Sequence, residues 1–389
     1  MTTLYLIRHA EADGNVYRRV HGQYDGLITP RGYQQIQCLR RRFAGIPLGA
    51  VYASDLFRTR ETARALYEGR AVPFTTTREL REIAFGEWED LPWGELMLRY
   101  PEEYALWEQR PAEYRLAGAE TYRDLYERIH AELNRIVRAH PGQTIAAVTH
   151  GTALRALLCV LRTGSLDRVG ELPWCDNTAV AKLTVDENLR YTVEYYNDNS
   201  HLAQLSTLQS QTWWRDEEDR RLFNLHFVPA KFPQDLAKAD MYYHDSWQLV
   251  FGDEEYDSSY TVSRMRRLRS AHPQAIVFAR RGDETEVGCV MLDTRAKLLP
   301  SGGHIALIYL TEPFRGREFG AQLLGHAVSV YRALGRRWIT VRVAGTNVRA
   351  QKFYAKYGFE QFGAEQSPNT VQLLMRKSID GTPAHINWK

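Results

Sequence analysis

Cysteine is scarce and unpatterned. Cys38, Cys159, Cys175 and Cys289 are the four in 389 residues, with no Cys-x-x-Cys pair and no zinc-finger spacing. That excludes a disulfide scaffold and fits a reduced, cytoplasmic setting. Long apolar runs are lacking as well: no segment approaches the roughly 20 residues a membrane helix needs, so no membrane partner is expected. A strong charge excess is also missing. Fifty Lys and Arg face 47 Asp and Glu, a formal net charge of +3. Such a balance gives no reason to expect nucleic acid, although a local basic pocket for phosphate stays open. No internal repeat or low-complexity tract is visible, and the first apolar strand starts almost at Met1, leaving no room for a secretory leader. What is present, 44% hydrophobic and 25% charged residues, describes a soluble globular protein. Its length suits two cores better than one.

The pattern divides accordingly. An apolar strand at residues 4–7 precedes a helix capped by Thr29 with Pro30 in its first turn. A strand at 50–53 leads through Ser54 and Asp55, both good caps, into a helix over 56–67. An aromatic, strand-poor stretch runs from 85 to 122, then a long helix reaches His140. A strand at 144–149 is followed by a helix opened by Gly151, and strands at 180–185 and 191–196 close the unit. Alternating strands and helices predict an α/β domain, mostly parallel and flanked by helices, over residues 1–203. Residues 204–221, rich in Gln, Ser, Thr and mixed charge, read as a linker that Trp213 and Trp214 pack against one domain. From 222 to 389 the order changes to a strand, two helices (234–251 and 260–271), consecutive strands, then a helix, a strand, a helix and late strands. That is an α+β domain with a mixed sheet.

His9 and His150 each follow a strand, and in a parallel sheet ligands bind beyond the carboxyl ends of strands. Arg8 adds a cation beside His9. Arg58 lies in the first turn of a helix, where the dipole and free N–H groups also favour an anion, as they do at Gly151. Asn15 and Gln23, in the loop after His9, can donate further hydrogen bonds. Together these make a dianion site in which a neutral imidazole can attack phosphorus while the cations neutralise the phosphoryl oxygens. The two histidines lack nearby metal-ligand spacing and their neighbours are cationic, so no metal is expected. The leaving alcohol needs a proton, for which Glu82 is the candidate and Glu87 and Glu89 are rivals.

The run Leu-Ile-Arg8-His9-Ala-Glu-Ala-Asp-Gly-Asn15 resembles the Arg-His-Gly motif of the histidine phosphatase (phosphoglycerate mutase-like) superfamily. Residues 54–63 and Val148-Thr149-His150-Gly151 resemble its second and third blocks, and residues 85–89 and 197–202 are also similar. The resemblance covers about residues 1–203. It implies that His9 is the phosphorylated nucleophile, that Arg8, Arg58 and His150 bind the phosphoryl group with Asn15 assisting, and that Glu82 donates the proton. Ala10 stands where the family usually has Gly. The short segment between Glu82 and Ala119-Glu120-Thr121 looks more like the family's phosphatases, such as the α-ribazole phosphatase group, than its mutases, which are the runner-up.

In the second half, a strand at 304–310 runs into Thr311-Glu312-Pro313-Phe314-Arg315-Gly316-Arg317-Glu318-Phe319-Gly320-Ala321 and then an amphipathic helix. A glycine-containing loop entering a helix aims backbone N–H groups at one place, which suits a pyrophosphate. This loop and residues 343–359, with Asn347 and Tyr354, resemble the two signatures of GCN5-related N-acetyltransferases (GNAT), Glu318 replacing the middle Gly as a mild departure. The resemblance implies acetyl-CoA as co-substrate, with its pyrophosphate on the amides of Arg315, Gly316, Arg317, Phe319, Gly320 and Ala321. Its pantetheine arm would run along Tyr309 and Leu310. Asn347 would contact it, Tyr354 would protonate the departing thiolate, and Glu312 is offered as the base. A bifunctional enzyme acting on a small phosphomonoester and an amine acceptor is the expectation. The alternatives are a mutase in the first half or a second half that only senses acetyl-CoA. The phosphatase substrate determinants are placed in residues 88–122, and those of the amine acceptor in 241–260.

Overall fold

In the first half, apolar residues alternate along short strands, so each strand feeds two cores, one on either face of a sheet. The computed structural model describes residues 1–205, 217–252, 255–296, 298–367, 370–381 and 386. Most of the expected linker, including Trp213 and Trp214, therefore lies outside the described residues. Strands β1 (Thr2–Arg8), β2 (Ala50–Ser54), β3 (Phe74–Thr77), β4 (Thr144–Thr149), β5 (Val180–Val185) and β6 (Tyr191–Asp198) form a six-stranded sheet in the order β3-β2-β4-β1-β5-β6. The pairs among β1 to β4 are parallel, while β5 and β6 join antiparallel at one edge. Leu4, Leu6, Tyr52 and Ala147 face helices α6 (Tyr122–Ala139) and α7 (Gly151–Thr163). Ile7, Val51, Ala53 and Val148 face α2 (Pro30–Arg42) and α3 (Phe57–Tyr67).

The local chemistry largely explains the boundaries. Thr29 Oγ1 accepts from the Gly32 N–H at 3.0 Å, and Thr121 and Asp124 form a capping box at the start of α6. Helix α3 differs from expectation. Neither Ser54 nor Asp55 caps it; Asp25, from the distant loop, accepts the Phe57 N–H at 2.7 Å, and Asp55 is drawn to Arg81 instead. Edge strand β3 was not anticipated, being four residues long and largely half-exposed or exposed. The aromatic stretch folds into α4 (Trp93–Arg99) and α5 (Pro101–Gln109) and packs Trp88, Trp107, Tyr114 and Tyr122 into one buried cluster.

A second, mixed sheet holds β7 (His226–Pro229), β8 (Ile276–Arg280), β9 (Glu286–Asp293), β10 (Gly302–Leu310), β11 (Trp338–Ala344), β12 (Glu360–Gln366) and β13 (Val371–Ser378). Their order is β12-β13-β11-β10-β9-β8-β7. Only β10 and β11 are parallel, and only from the Gly302/Trp338 pair to the Ile305/Val341 pair. A bulge between Ile305 and Leu307 then bends β10. Beyond it β10 follows β9 while β11 follows β13, so the sheet opens into a V-shaped cleft. Helix α8 (Glu217–Phe223) leads into this half; α11 (Phe319–Ala333) covers one face of the sheet, and α9 (Leu236–Phe251) and α10 (Ser258–Ala271) cover the other.

The two halves are closely seated. Helix α1 (Asp13–Tyr17), directly after the Arg8-His9 pair, lies on α11. Tyr17 joins the core of the second half, and a Cβ at Gly325 would stand 2.4 Å from that of Tyr17, so only glycine admits the contact. Likewise a Cβ at Gly94 would meet the Leu225 carbonyl at 2.5 Å. Arg332 bonds Asp13 at 2.8 Å across this seam. Burial resists ionisation of Asp13, yet Arg332 and Lys377 outweigh it and hold the carboxyl below its usual range. Arg332→Ala leaves that carboxylate buried with a weaker partner set. A loss of about 3–5 kcal/mol is expected, read from the denaturant midpoint, as for other broken buried pairs.

Candidate active sites

Strands β1 and β4 are parallel neighbours with Arg8 opposite Thr149. This register brings His9 and His150, the next residue on each, to the same level past the sheet edge. Their ring centroids are 5.3 Å apart. His9 Nδ1 lies 2.7 Å from the Ala10 carbonyl; a proton on that nitrogen leaves Nε2 as the nucleophilic atom. Burial first, then Arg58 and Arg8, hold His9 well below the usual histidine range, and burial with Arg58 and His9 does the same to His150. Both imidazoles are therefore neutral near pH 7.

The guanidinium of Arg58 is anchored by the carbonyls of Tyr24 at 2.9 Å and Gly22 at 2.6 Å, and that of Arg8 by the Cys175 carbonyl. The Nε atoms of Arg8 and Arg58 and both ring nitrogens of His150 are buried without a hydrogen-bond partner among the described residues. Two of these are cationic donors, and a buried orphan donor is costly unless an acceptor joins it, so the cluster suits an oxyanion. Asn15 Oδ1 accepts from the Ala12 N–H and from Asn177 Nδ2, which also holds the His9 carbonyl.

The three carboxylates that sequence could not separate are separated by packing. Glu82 sits at the amino end of α7, accepting from the N–H groups of Thr152 at 2.9 Å, Ala153 at 3.0 Å and Ile83 at 3.0 Å. Burial raises its carboxyl above the usual range against the pull of these amides and of Arg58. Glu89 is engaged by the backbone N–H groups of Gly22, Gln23, Tyr24 and Phe85, fixing the loop that anchors Arg58. Glu87 accepts from the Tyr100 hydroxyl away from the histidines.

Arg8, His9, Asn15, Arg58, Glu82 and Gly151 line one cavity of about 130 Å³. Gln23 does not line it; its side chain bonds Arg81 and lies 3.5 Å from the Glu82 carbonyl, so of the two loop amides only Asn15 faces this space. Residues not anticipated also line it: Arg18, Arg19, His21 and Trp174 from the first half and Arg220 and Asn224 beyond it. None had a local signal, since each reaches the cavity through packing rather than a strand end. Trp93, Tyr104, Trp107 and Glu108, inside the stretch expected to set specificity, also line the cavity.

In the second half, Leu310, Arg315, Gly316, Gly320, Asn347 and Tyr354 line a cleft of about 550 Å³. It is continuous through Ile308, Asn347 and Tyr354 with a wider one of about 920 Å³, walled by Tyr243, Trp247, Phe251 and Tyr260. The first-turn N–H groups of α11 and the diverging end of β10 form a cradle that fits a pyrophosphate and an extended amide arm. Burial raises the Tyr354 phenol above its usual range, keeping it protonated. Asn347 Oδ1 caps helix α12 (Val348–Lys356) through the Ala350 N–H at 3.0 Å. Arg317 is exposed, Phe319 is buried against Phe223, and Ala321 lines a separate small cavity with Glu11 and Thr29. Glu312 is exposed and does not line the cleft. Glu318, at φ 65°, holds the left-handed conformation that glycine adopts without strain. Its replacement of glycine therefore carries backbone strain and is less mild than the sequence implied.

Among the described residues no group of three or more His, Cys, Asp or Glu could hold a metal ion, and no helix is long and apolar enough to cross a membrane. The model of the histidine phosphatase superfamily (branch 1) matches residues 4–199, and that of the acetyltransferase (GNAT) family matches 239–359. Phosphoserine phosphatase 1 of Hydrogenobacter thermophilus is 28% identical over 204 residues, 52% of this chain and 96% of that protein. Phosphoglycerate mutase-like protein 4 of Arabidopsis thaliana is 30% identical over 210 residues, 53% of this chain and 90% of that protein. The solved structure of Bacillus stearothermophilus YhfR is 33% identical with a TM-score of 0.51, covering 52% of this chain and all of that one. The paired histidines, their arginines and the family match agree: this chain belongs to the histidine phosphatase superfamily and carries, in its second half, a domain of the GNAT acetyltransferase family.

Proposed function

We propose that the chain is a bifunctional enzyme, a phosphomonoester hydrolase in residues 1–203 and an amine acetyltransferase in residues 222–389. The observation that carries the first activity is the convergence of neutral His9, Arg8, Arg58 and buried Glu82 on one cavity, with the neutral ring of His150 packed 5.3 Å from that of His9 just behind the lining. In this reading His9 Nε2 attacks phosphorus, the bond from phosphorus to the alcohol oxygen breaks, and Glu82 gives its proton to that oxygen. Water then attacks the phosphohistidine, Glu82 takes a proton from it, and free phosphate leaves with His9 restored. Arg8, Arg58 and His150 stabilise the charge on the phosphoryl oxygens. An acid-labile phosphoenzyme is expected when the protein is quenched during turnover of a phosphomonoester panel, with stoichiometric phosphate release. Transfer to a second phosphorylated acceptor without phosphate release would instead make it a mutase. No turnover of any panel member would refute the phosphatase reading.

For the second activity, acetyl-CoA supplies an activated thioester carbonyl. The amides at the start of α11 would bind its pyrophosphate, β10 would orient its arm, and Tyr354 would hold the proton that the thiolate receives when the amine attacks. Tyr354→Phe is expected to lower kcat about 100-fold with little change in KM, followed by thiol release with an amine panel. Calorimetric binding of acetyl-CoA by the wild type without turnover of any amine would make this half a sensor.

A further inference from the structure

We infer that the phosphatase cavity receives a phosphomonoester bearing a second anionic group, held by Arg18 and by Arg220 from the segment that leads into the acetyltransferase half. This rests on the phosphatase reading above and names its substrate class. Five guanidinium groups line the cavity against two carboxylates, Glu82 and Glu108. Arg8 and Arg58 belong to the histidines. Arg19 is turned away, its Nε donating to Asp90 at 2.8 Å and its Nη2 to Ser329 at 2.8 Å. Arg18 and Arg220 remain as a second cationic position on the same cavity, with Glu108 3.3 Å from Arg220.

This position is built rather than incidental. Arg18 is 7% exposed, and its Nε donates to Oδ1 of Asn224, itself 1% exposed, at 2.9 Å. Burial pulls its guanidinium down to about 10, so a further anion there would offset a real desolvation cost. Its backbone is left-handed, at φ 54°. Arg18 is the left-handed C-cap of α1, and its side chain and that of Arg19 diverge from there, to Asn224 and to Asp90 and Ser329 respectively. Trp93, Tyr104 and Trp107 complete the wall. Their rings lower the local polarity, which strengthens a charge contact. Because Arg220 and Asn224 lie beyond the superfamily match at 4–199, the segment joining the halves and the start of the second would complete the specificity of the first.

The test compares substrate pairs that differ mainly in the second anion, using the full chain. 3-Phosphoglycerate against glycerol 3-phosphate probes a carboxylate; fructose 1,6-bisphosphate against fructose 6-phosphate probes a second phosphoryl group. The wild type is expected to favour the anion-bearing member of at least one pair by about 10- to 100-fold in kcat/KM, the range of a charged hydrogen bond. Arg220→Gln, a change at a partly exposed position, is expected to bring that ratio within about threefold of unity. Arg18→Gln should do the same if it folds. A wild-type ratio at or below one for both pairs, or a ratio that survives in Arg220→Gln, overturns the inference while leaving the phosphatase intact. Absence of turnover on all four substrates and on p-nitrophenyl phosphate overturns the phosphatase reading itself.

Discussion

Replacing His9 with alanine is expected to lower phosphomonoester turnover by about 10⁴-fold or more and to abolish the acid-labile phosphoenzyme. Loss of a nucleophile elsewhere costs effects of this order. The reason lies in what the variant keeps. Arg8 and Arg58 remain anchored by the carbonyls of Cys175, Gly22 and Tyr24, so the anion site survives and KM should change little. In the proposed mechanism what is removed is the imidazole that would attack phosphorus. His150 does not replace it, because the structure places no second group to orient its ring: both its nitrogens lack a protein partner among the described residues. Phosphate release and acid-quench labelling measure the two effects. Activity within tenfold of wild type, or undiminished labelling, would sink the assignment of His9.

Glu82→Gln separates proton donation from phosphoryl binding. For an alkyl phosphate, whose leaving oxygen needs a proton, kcat is expected to fall about 10²- to 10⁴-fold. For p-nitrophenyl phosphate, whose phenolate leaves unaided, the loss should stay within about tenfold. The pH profile adds a sign. His9 is held below the usual histidine range by burial, Arg58 and Arg8, so the acid limb lies below pH of about 6.5. Glu82 is raised by burial, so wild-type activity on the alkyl substrate declines as pH rises through that raised value. In Glu82→Gln the alkaline limb should vanish. An equal loss on both substrates, or an unchanged alkaline limb, would move the proton donor elsewhere.

Much of this site was legible because its residues sit where local pattern speaks. His9 and His150 follow apolar strands, and parallel strands deliver their last residues to one edge. Arg58 opens a helix, and Gly151 opens another. Among the acids, Glu82 was the candidate, but local pattern could not exclude its rivals. Glu82, Glu87 and Glu89 lie within one short polar-aromatic segment, and no period distinguishes them. Packing does: the amino end of α7 claims Glu82, four backbone amides claim Glu89, and Tyr100 claims Glu87 at the surface. Gln23 lies off the cavity lining for a related reason, since Arg81 competes for its side chain.

The sequence by itself determined the two kinds of element order, the strand-end histidines and the glycine-containing loop before α11, because apolar period, caps and turns are read within a few residues. Tertiary structure alone decided which carboxylate lines the cavity with His9, that α1 lies on α11, and that Arg220 and Asn224 reach the cavity of the first half. Those outcomes depend on strand order and on close backbone approach at Gly94 and Gly325, which join residues far apart in the chain. A local pattern says which face of an element is buried, not what it is buried against.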